Sequence, residues 1–425
     1  GTPIVTITRT YDRDARRLTL KIGQSTPPTP GQPDKAPLAI PIRVGVVADP
    51  KPAHLTERTI VLRQAQEDHV IEDVPGGAVP SCFRALPAPV KIEDDLSPEE
   101  LLFLMGHDDD PFNRWEAGRR TAERIILDGV ASLQAGRPID SASGFHQALQ
   151  RTLNDPNHDP YFVAETLALP AEVELAQAMA VIDPDNLYRA RLDIERQLAA
   201  ALQDDLHSTY RRFKVDAPYD PGRDQAARRS LRNRALRLLA TLDTDDTIAL
   251  AYRHYSEADN MTDAMAGLGA LSDTDRPQRQ QALDAFYARW KDDDLVINKW
   301  LGLQAASRAA DALDRIKKLM DHESFDIKNP NRVRALIGTF AHGNQLRFHN
   351  ADGSGYEFVI SRVLQIDPLN PQIAARLVTA FGNWQRFDQQ RCDKIEAGLR
   401  TLLAADGLSK NVFEIADKIL KSKPD

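Results

Sequence analysis

Chemistry in this chain would have to come from its histidines, its two cysteines or its clustered arginines. The ten histidines are His54, His69, His107, His146, His158, His207, His254, His322, His342 and His349. No two are spaced i, i+4, so the HExxH pattern that sets two imidazoles on one helix face around zinc is absent. His322-Glu323 comes nearest, but the next residue in register is Asp326, and the stretch reads as a solvated helix end before Ser324. His107-Asp108-Asp109-Asp110 could attract a metal, or be a charged loop that ends in an N-cap at Asp110. Cys82 and Cys392 are too far apart for a CxxC site and too few for a disulfide framework. Cys392 sits in a helical context and reads as a packing residue. No GxSxG elbow, P-loop or GxGxxG motif occurs.

The arginines are more informative. Arg223, Arg228, Arg229, Arg232, Arg234 and Arg237 crowd one helix, where ion pairs with acidic neighbours or a solvated face would account for them. In Asn329-Pro330-Asn331-Arg332-Val333-Arg334, two arginines fall in the first turn of a helix. The helix macrodipole disfavours cations there. Anionic partners are therefore expected, either a structural aspartate or a ligand carboxylate matched to the planar guanidinium fork. Asp352-Gly353-Ser354-Gly355-Tyr356 either offers main-chain N–H groups to a phosphate or forms a tight loop before a helix carrying Phe358-Val359-Ile360.

These residues need a scaffold, and the 425-residue length allows one of two to four domains at roughly 100–200 residues each. A 27% charged, 42% hydrophobic composition excludes wholesale disorder. The formal net charge of −8 argues against general nucleic-acid binding. No apolar run is long enough to predict a membrane helix, and no signal peptide is expected. With two cysteines, a reducing, cytoplasmic setting is the simplest reading. The first residue is Gly1 rather than Met, as in a piece of a longer polypeptide.

Residues 1–95 alternate polar and apolar in short runs: Thr6–Tyr11, Arg17–Ile22, Ile40–Val46, Thr59–Leu62, His69–Ile71, Cys82–Leu86 and Val90–Ile92. About seven such strands predict a small β-sandwich. Ser97-Pro98-Glu99-Glu100 has the residues of a capping box, and residues 96–425 read as about fifteen helices. Asp110-Pro111, Asp159-Pro160, Asp183-Pro184, Asp220-Pro221, Asn329-Pro330 and Asn370-Pro371 each look like a cap followed by proline at N1. No fixed repeat period emerges, so the expected fold is mostly α: a small N-terminal β-sandwich, then a large irregular α-helical superhelix.

Several ordered strings match a known family. They are Gly1-Thr2-Pro3, Leu104-Met105-Gly106-His107-Asp108, Phe112-Asn113-Arg114-Trp115-Glu116-Ala117, Glu257-Ala258-Asp259-Asn260-Met261-Thr262-Asp263-Ala264, Asn298-Lys299-Trp300, Asn329–Arg334, Asp352–Tyr356 and Asn370-Pro371-Gln372-Ile373-Ala374-Ala375-Arg376-Leu377. On these the chain resembles the C-terminal portion of the aminopeptidase N family, bacterial zinc aminopeptidases of the gluzincin type. The resemblance implies that the zinc, its HExxH and the amine-binding GxMEN segment lie in an upstream catalytic domain. It assigns no catalytic residue, metal ligand or cofactor to this chain. It makes residues 1–95 a β-sandwich spacer and 96–425 a helical domain that covers the active-site cavity, shaping and gating access for short peptide substrates. Arg334 and Arg376, with Arg332 and Tyr356 as further candidates, would line that chamber, whereas Asn260 and Asp263 read as capping and packing. The upstream domain of the same polypeptide is the expected partner, with no nucleic acid and no membrane. The alternative is a free-standing helical scaffold that binds a peptide or protein on its concave face.

Overall fold

The structure is a computed structural model, and it describes residues 1–50, 55 and 57–422. His54 lies outside the described residues. Seven strands come first: β1 (Ile4–Asp12), β2 (Arg17–Ser25), β3 (Ile40–Val47), β4 (Arg58–Leu62), β5 (Gln66–Ile71), β6 (Val79–Cys82) and β7 (Lys91–Asp94). One sheet runs β5-β2-β1-β7 and the other β4-β3-β6. β1 pairs antiparallel with β2 from Ile4↔Ser25 to Asp12↔Arg17, and parallel with β7 from Ile4↔Lys91. Period-two alternation sends Val5, Ile7, Leu18, Leu20 and Ile22 inward from one sheet, against Ile42, Val44, Ile60 and Leu62 of the other.

One expected strand moves. Cys82–Leu86 is the end of β6 followed by a tight turn, because Phe83, Ala85 and Leu86 all have positive φ (59°, 57° and 46°). The turn buries the Phe83 ring in the sandwich core and stops the ladder.

The helical part begins as its capping residues dictate. The Ser97 hydroxyl accepts from the Glu100 N–H, and the Glu100 carboxylate accepts from the Ser97 N–H at 2.8 Å, a complete capping box. Asp110, Asp159, Asp183, Asn329 and Asn370 all accept from N–H groups in the first turns of their helices. Asp220-Pro221 departs from the pattern. Asp220 turns onto the Gly222 N–H at 2.8 Å, and Gly222 is the N-cap of the helix Arg223–Ala240. Among the described residues, fifteen α-helices run for eight residues or more.

The chain forms two compact units, Gly1–Ile125 with Ala142–Leu169, and Ile126–Ser141 with Pro170–Asp425. In the first, Arg84 is the polar centre. Its guanidinium pairs with Glu57 at 2.8 Å, with Asp108 at 3.2 Å and with Asp109. Gly45 makes room for it, since a Cβ there would lie 2.6 Å from Arg84 Nη1. Ser81 Oγ donates to Asp108 at 2.6 Å, and Asn113 Nδ2 donates to Ser81 Oγ at 2.7 Å. Burial holds the Asp108 carboxyl above its ordinary range, against the pull of its hydrogen bonds and of Arg84.

In the second unit most helices pack on their neighbours in sequence, as in a helical array. Longer links join the residues just after Pro170 to the later helices. Glu172 pairs with Arg308 at 3.0 Å, and Asp185 with Arg391. The Ile182 N–H donates to the Arg386 carbonyl at 2.6 Å.

Candidate functional site

The arginine-bearing helix starts at the Asn329 cap and changes pitch within a few residues. Pro330–Val333 is α-helical, Arg334–Gly338 is a π-turn, and Thr339–Gly343 is α-helical again. The Thr339 N–H reaches back five residues to the Arg334 carbonyl. Such widened turns are uncommon and recur at functional sites. The turn packs against the helix Asp294–Ala305, where a Cβ on Gly302 would lie 3.5 Å from the Ala335 carbonyl oxygen.

The pitch change separates the two arginines. Arg332 is 6% exposed and folds back on the preceding helix. It donates to the Asp294 carboxylate at 2.6 Å, to the Asp294 carbonyl at 2.8 Å and to Asn298 Oδ1 at 2.8 Å. Of the two partners open from the sequence, Arg332 takes the structural aspartate. Arg334 is exposed and has no ion pair among the described residues. Arg376 is likewise exposed, on the helix Pro371–Val378, which buries Ala374, Ala375, Leu377 and Val378. That helix packs on the π-turn, and Arg376 lies close to His342, eight residues beyond Arg334. Crowding, then the Arg376 charge, lowers the His342 pKa, although the outer edge of the ring meets solvent. The structure thus gathers Arg334, His342 and Arg376 on two adjoining elements.

Tyr356 is elsewhere. It is 1% exposed, packed edge-on to Phe348 and Phe381, with its hydroxyl 3.0 Å from His349 Nδ1. Burial raises its phenol pKa. The same packing, with the nearby Arg391 charge, pushes His349 down to about 3. Tyr356 is therefore a core residue in this unit, not a cavity wall. Asp352–Tyr356 forms the tight loop, not a phosphate cradle. Asp352 accepts from the Ser354 N–H at 2.9 Å, Gly353 takes φ +83°, and a Cβ on Gly355 would sit 2.3 Å from the Phe348 carbonyl oxygen.

The remaining candidates are structural. His322 Nδ1 bonds Ser324 Oγ at 2.8 Å, and its ring packs against Tyr287 and Trp300. His107 stacks on Phe103, and Asp110 is the cap of the following helix. The Cys392 thiol donates to the Trp384 carbonyl at 3.1 Å. Among the described residues, no group of three His, Cys, Asp or Glu side chains is placed to hold a metal ion. No described helix is long and apolar enough to cross a membrane.

On the arginine-rich helix Arg223 and Arg237 are exposed, as a solvated face would have them, whereas three others depart from the expectation of ion pairs or a solvated face. Arg228 and Arg229 donate to main-chain carbonyls, and Arg232 donates to the Tyr210 hydroxyl at 3.1 Å while covering its ring at 4.5 Å. Carbonyls and aromatic faces, more than carboxylates, receive these three cations. The Tyr210 hydroxyl is 3.0 Å from His254 Nδ1, and His254 Nε2 is 3.9 Å from Asp263. Asn260 caps its helix through the Asp263 N–H and donates to the Asp263 carboxylate at 3.0 Å. Burial, then the Arg232 charge, takes His254 down to about 4.

A family model described as "Domain of unknown function (DUF3458) Ig-like fold" matches residues 1–95, and one described as "Domain of unknown function (DUF3458_C) ARM repeats" matches residues 98–421. This chain belongs to that family. It is 35% identical over 427 residues to aminopeptidase N of Escherichia coli (strain K12), covering 99% of this chain and 49% of that protein. Against aminopeptidase N of Caulobacter vibrioides the identity is 38% over 421 residues, covering 99% and 48%. Among solved structures, Legionella pneumophila aminopeptidase A in complex with aspartic acid superposes with a TM-score of 0.85 at 27% identity, covering 99% of this chain and 49% of that one. The chain spans about half the length of the curated relatives it matches and is homologous to their C-terminal half. Within the family scaffold, Arg334 and Arg376 are the two sequence-predicted site residues whose charges stay in solvent. His342 beside Arg376 was not singled out as a site residue, because its proximity depends on two elements packing together.

Proposed function

We propose that this chain is the non-catalytic C-terminal part of a zinc metallo-aminopeptidase, and that it shapes and gates the chamber in which N-terminal residues are removed from short peptides. Homology to half of aminopeptidase N supports the parent activity, with the zinc, its ligands and the general base in an upstream domain of the same polypeptide. The observation that carries the reading is the pair of solvent-exposed arginines, Arg334 and Arg376, without an ion pair among the described residues. Nearby Arg332, of the same chemistry, is already held by Asp294 and Asn298. A free guanidinium beside a π-turn can hold a peptide carbonyl or the terminal carboxylate beyond the scissile bond. Holding that end orients the substrate and disfavours longer chains.

The test uses the longer protein. Arg334→Ala raises KM for di- and tripeptides by about tenfold, the loss of one charge-assisted hydrogen bond, and leaves single aminoacyl amides nearly unchanged. Equal effects on both substrate types would sink the carboxylate role. The intact mass of the native gene product tests the parentage. A mass near the 47.3 kDa of this chain would favour the free-standing scaffold.

A further inference from the structure

Residues 173–182 and the turn 379–387 run side by side in the second unit. Ile182 pairs with Phe387 in a single parallel bridge, and Arg386 Nη2 donates to the carbonyls of Ala176 at 3.1 Å, Gln177 at 3.2 Å and Met179 at 2.5 Å. A cleft of about 200 Å³ opens between these segments and the helix end that carries His342. One part of its lining is apolar, with Val173, Ala176, Ile182 and Phe387. The other is polar, with His342, Gln345, Asn383 and Arg386. Neither Arg334 nor Arg376 lines it.

The charge balance of the cleft is one-sided. No aspartate or glutamate among the described residues lines it, although the chain as a whole carries a net charge of −8. The carboxylates of Glu172 and Asp388, close by in sequence, are committed to Arg308 and Arg391. Arg386 meets carbonyl oxygens only, and its Nε and Nη1 find no partner among the described residues. His349 also lines the cleft. It is 3% exposed, its Nδ1 is taken by Tyr356, and its Nε2 has no partner among the described residues. Its imidazole and that of His342 are both held below the ordinary histidine value, so at neutral pH they offer hydrogen bonds without charge. A cation that lacks a carboxylate, among neutral polar groups and beside an apolar wall, suits an anion with an apolar body.

We propose that this cleft binds a carboxylate carried on a short apolar body, with Arg386 facing the carboxylate and Val173, Ile182 and Phe387 enclosing the body. At about 30 Å³ per water, the volume equals some six or seven waters, enough for a leucine-sized group. A free amino acid fits less well, because its ammonium would lie near Arg386 with no acidic side chain to receive it. The two suitable sources are a peptide C-terminus, whose neighbouring nitrogen is a neutral amide, and a simple monocarboxylate.

Calorimetric titration of the 425-residue chain tests this with N-acetyl-leucine as the peptide-end probe and 4-methylpentanoate as the simple acid. N-acetyl-leucinamide is the uncharged control. Saturable binding of the acids at millimolar concentration or below is expected, weakened about tenfold or more in the amide. A tighter N-acetyl-leucine identifies the peptide end, and an equal or tighter 4-methylpentanoate identifies the simple acid. Asn383→Asp places a carboxylate in the cleft at an exposed residue whose side chain caps nothing. It is expected to keep the native circular dichroism spectrum and to weaken acid binding about tenfold. The proposal is overturned if neither acid saturates, if acid and amide bind equally, or if Asn383→Asp binds like the parent chain.

Discussion

Arg84 in the first compact unit and Arg334 and Arg376 in the second are used in opposite ways. In the first, Arg84 is 5% exposed and ringed by Glu57, Asp108 and Asp109, with the Asp108 side chain wholly shielded from solvent. In the second, Arg334 and Arg376 reach solvent with no ion pair among the described residues. A buried cation must be paired and hydrogen-bonded to be tolerated. An exposed, unpaired one costs little and gains little for the fold. Arg84 is therefore tied to folding, whereas Arg334 and Arg376 are free to serve something outside the chain. Arg332 and Arg334, two residues apart, repeat the contrast within one helix.

Removing Arg84 tests the buried end of this comparison most severely. Arg84→Ala leaves Asp108 buried without its cation, and among the described residues Asp108 keeps Ser81 and the Asp110 N–H as partners. Breaking one side of a buried pair costs about 3–5 kcal/mol. Urea unfolding of the variant is expected to show a loss in that range. A loss below about 1 kcal/mol would mean that the ring of carboxylates is solvated and that the contrast between the units is false.

Acid probes the buried polar cluster of the second unit. His254 has a folded pKa of about 4, below its unfolded value near 6.5. The unfolded chain therefore takes up a proton first as pH falls. Stability from this group is complete above pH 6.5 and is lost progressively toward pH 4. The share of His254 between pH 7 and pH 5 is about 2 kcal/mol, from 1.36 kcal/mol per pH unit over the unfolded-state range. His254→Asn should flatten the measured pH dependence by that amount. An unchanged slope would show that the Tyr210–His254–Asp263 cluster admits water and charge as readily as the surface does.

Local signals made much of this legible in the sequence. The capping box at Ser97, the Asp-Pro and Asn-Pro starts and the alternation of Val5, Ile7, Leu18 and Leu20 depend on neighbours within a few residues, where pattern and physics coincide. Arg332 and Arg334 were legible only as a pair of first-turn cations with anionic partners expected. Their separate fates depend on Asp294, 38 positions away on another helix, and on a π-turn that no propensity marks. Tyr356 came with the family resemblance as a chamber residue. Gly355, by letting its helix close onto the Phe348 carbonyl, places that ring in the core. The link from Asp185 to Arg391 spans 206 positions, and no periodicity reports it. The cleft beside it was for that reason invisible before the fold.

The smallest expected effect is the sharpest form of the comparison. Arg332→Ala loses hydrogen bonds to the Asp294 carboxylate, to its carbonyl and to Asn298, and leaves Asn298 Oδ1 without that donor. Because the Asp294 side chain is 86% exposed, its ion pair is discounted for solvent screening, and a loss of about 1–2 kcal/mol is expected. Arg334→Ala removes an exposed side chain with no ion pair in the described chain, so its unfolding free energy should stay within about 0.5 kcal/mol of the parent. Two chemically identical truncations, two positions apart on one helix, would then differ in stability by their partners alone. Parallel urea melts of both variants read the difference directly. If Arg334→Ala costs as much as Arg332→Ala, the solvent-facing guanidinium is holding the π-turn together, and its freedom to meet a substrate carboxylate is lost.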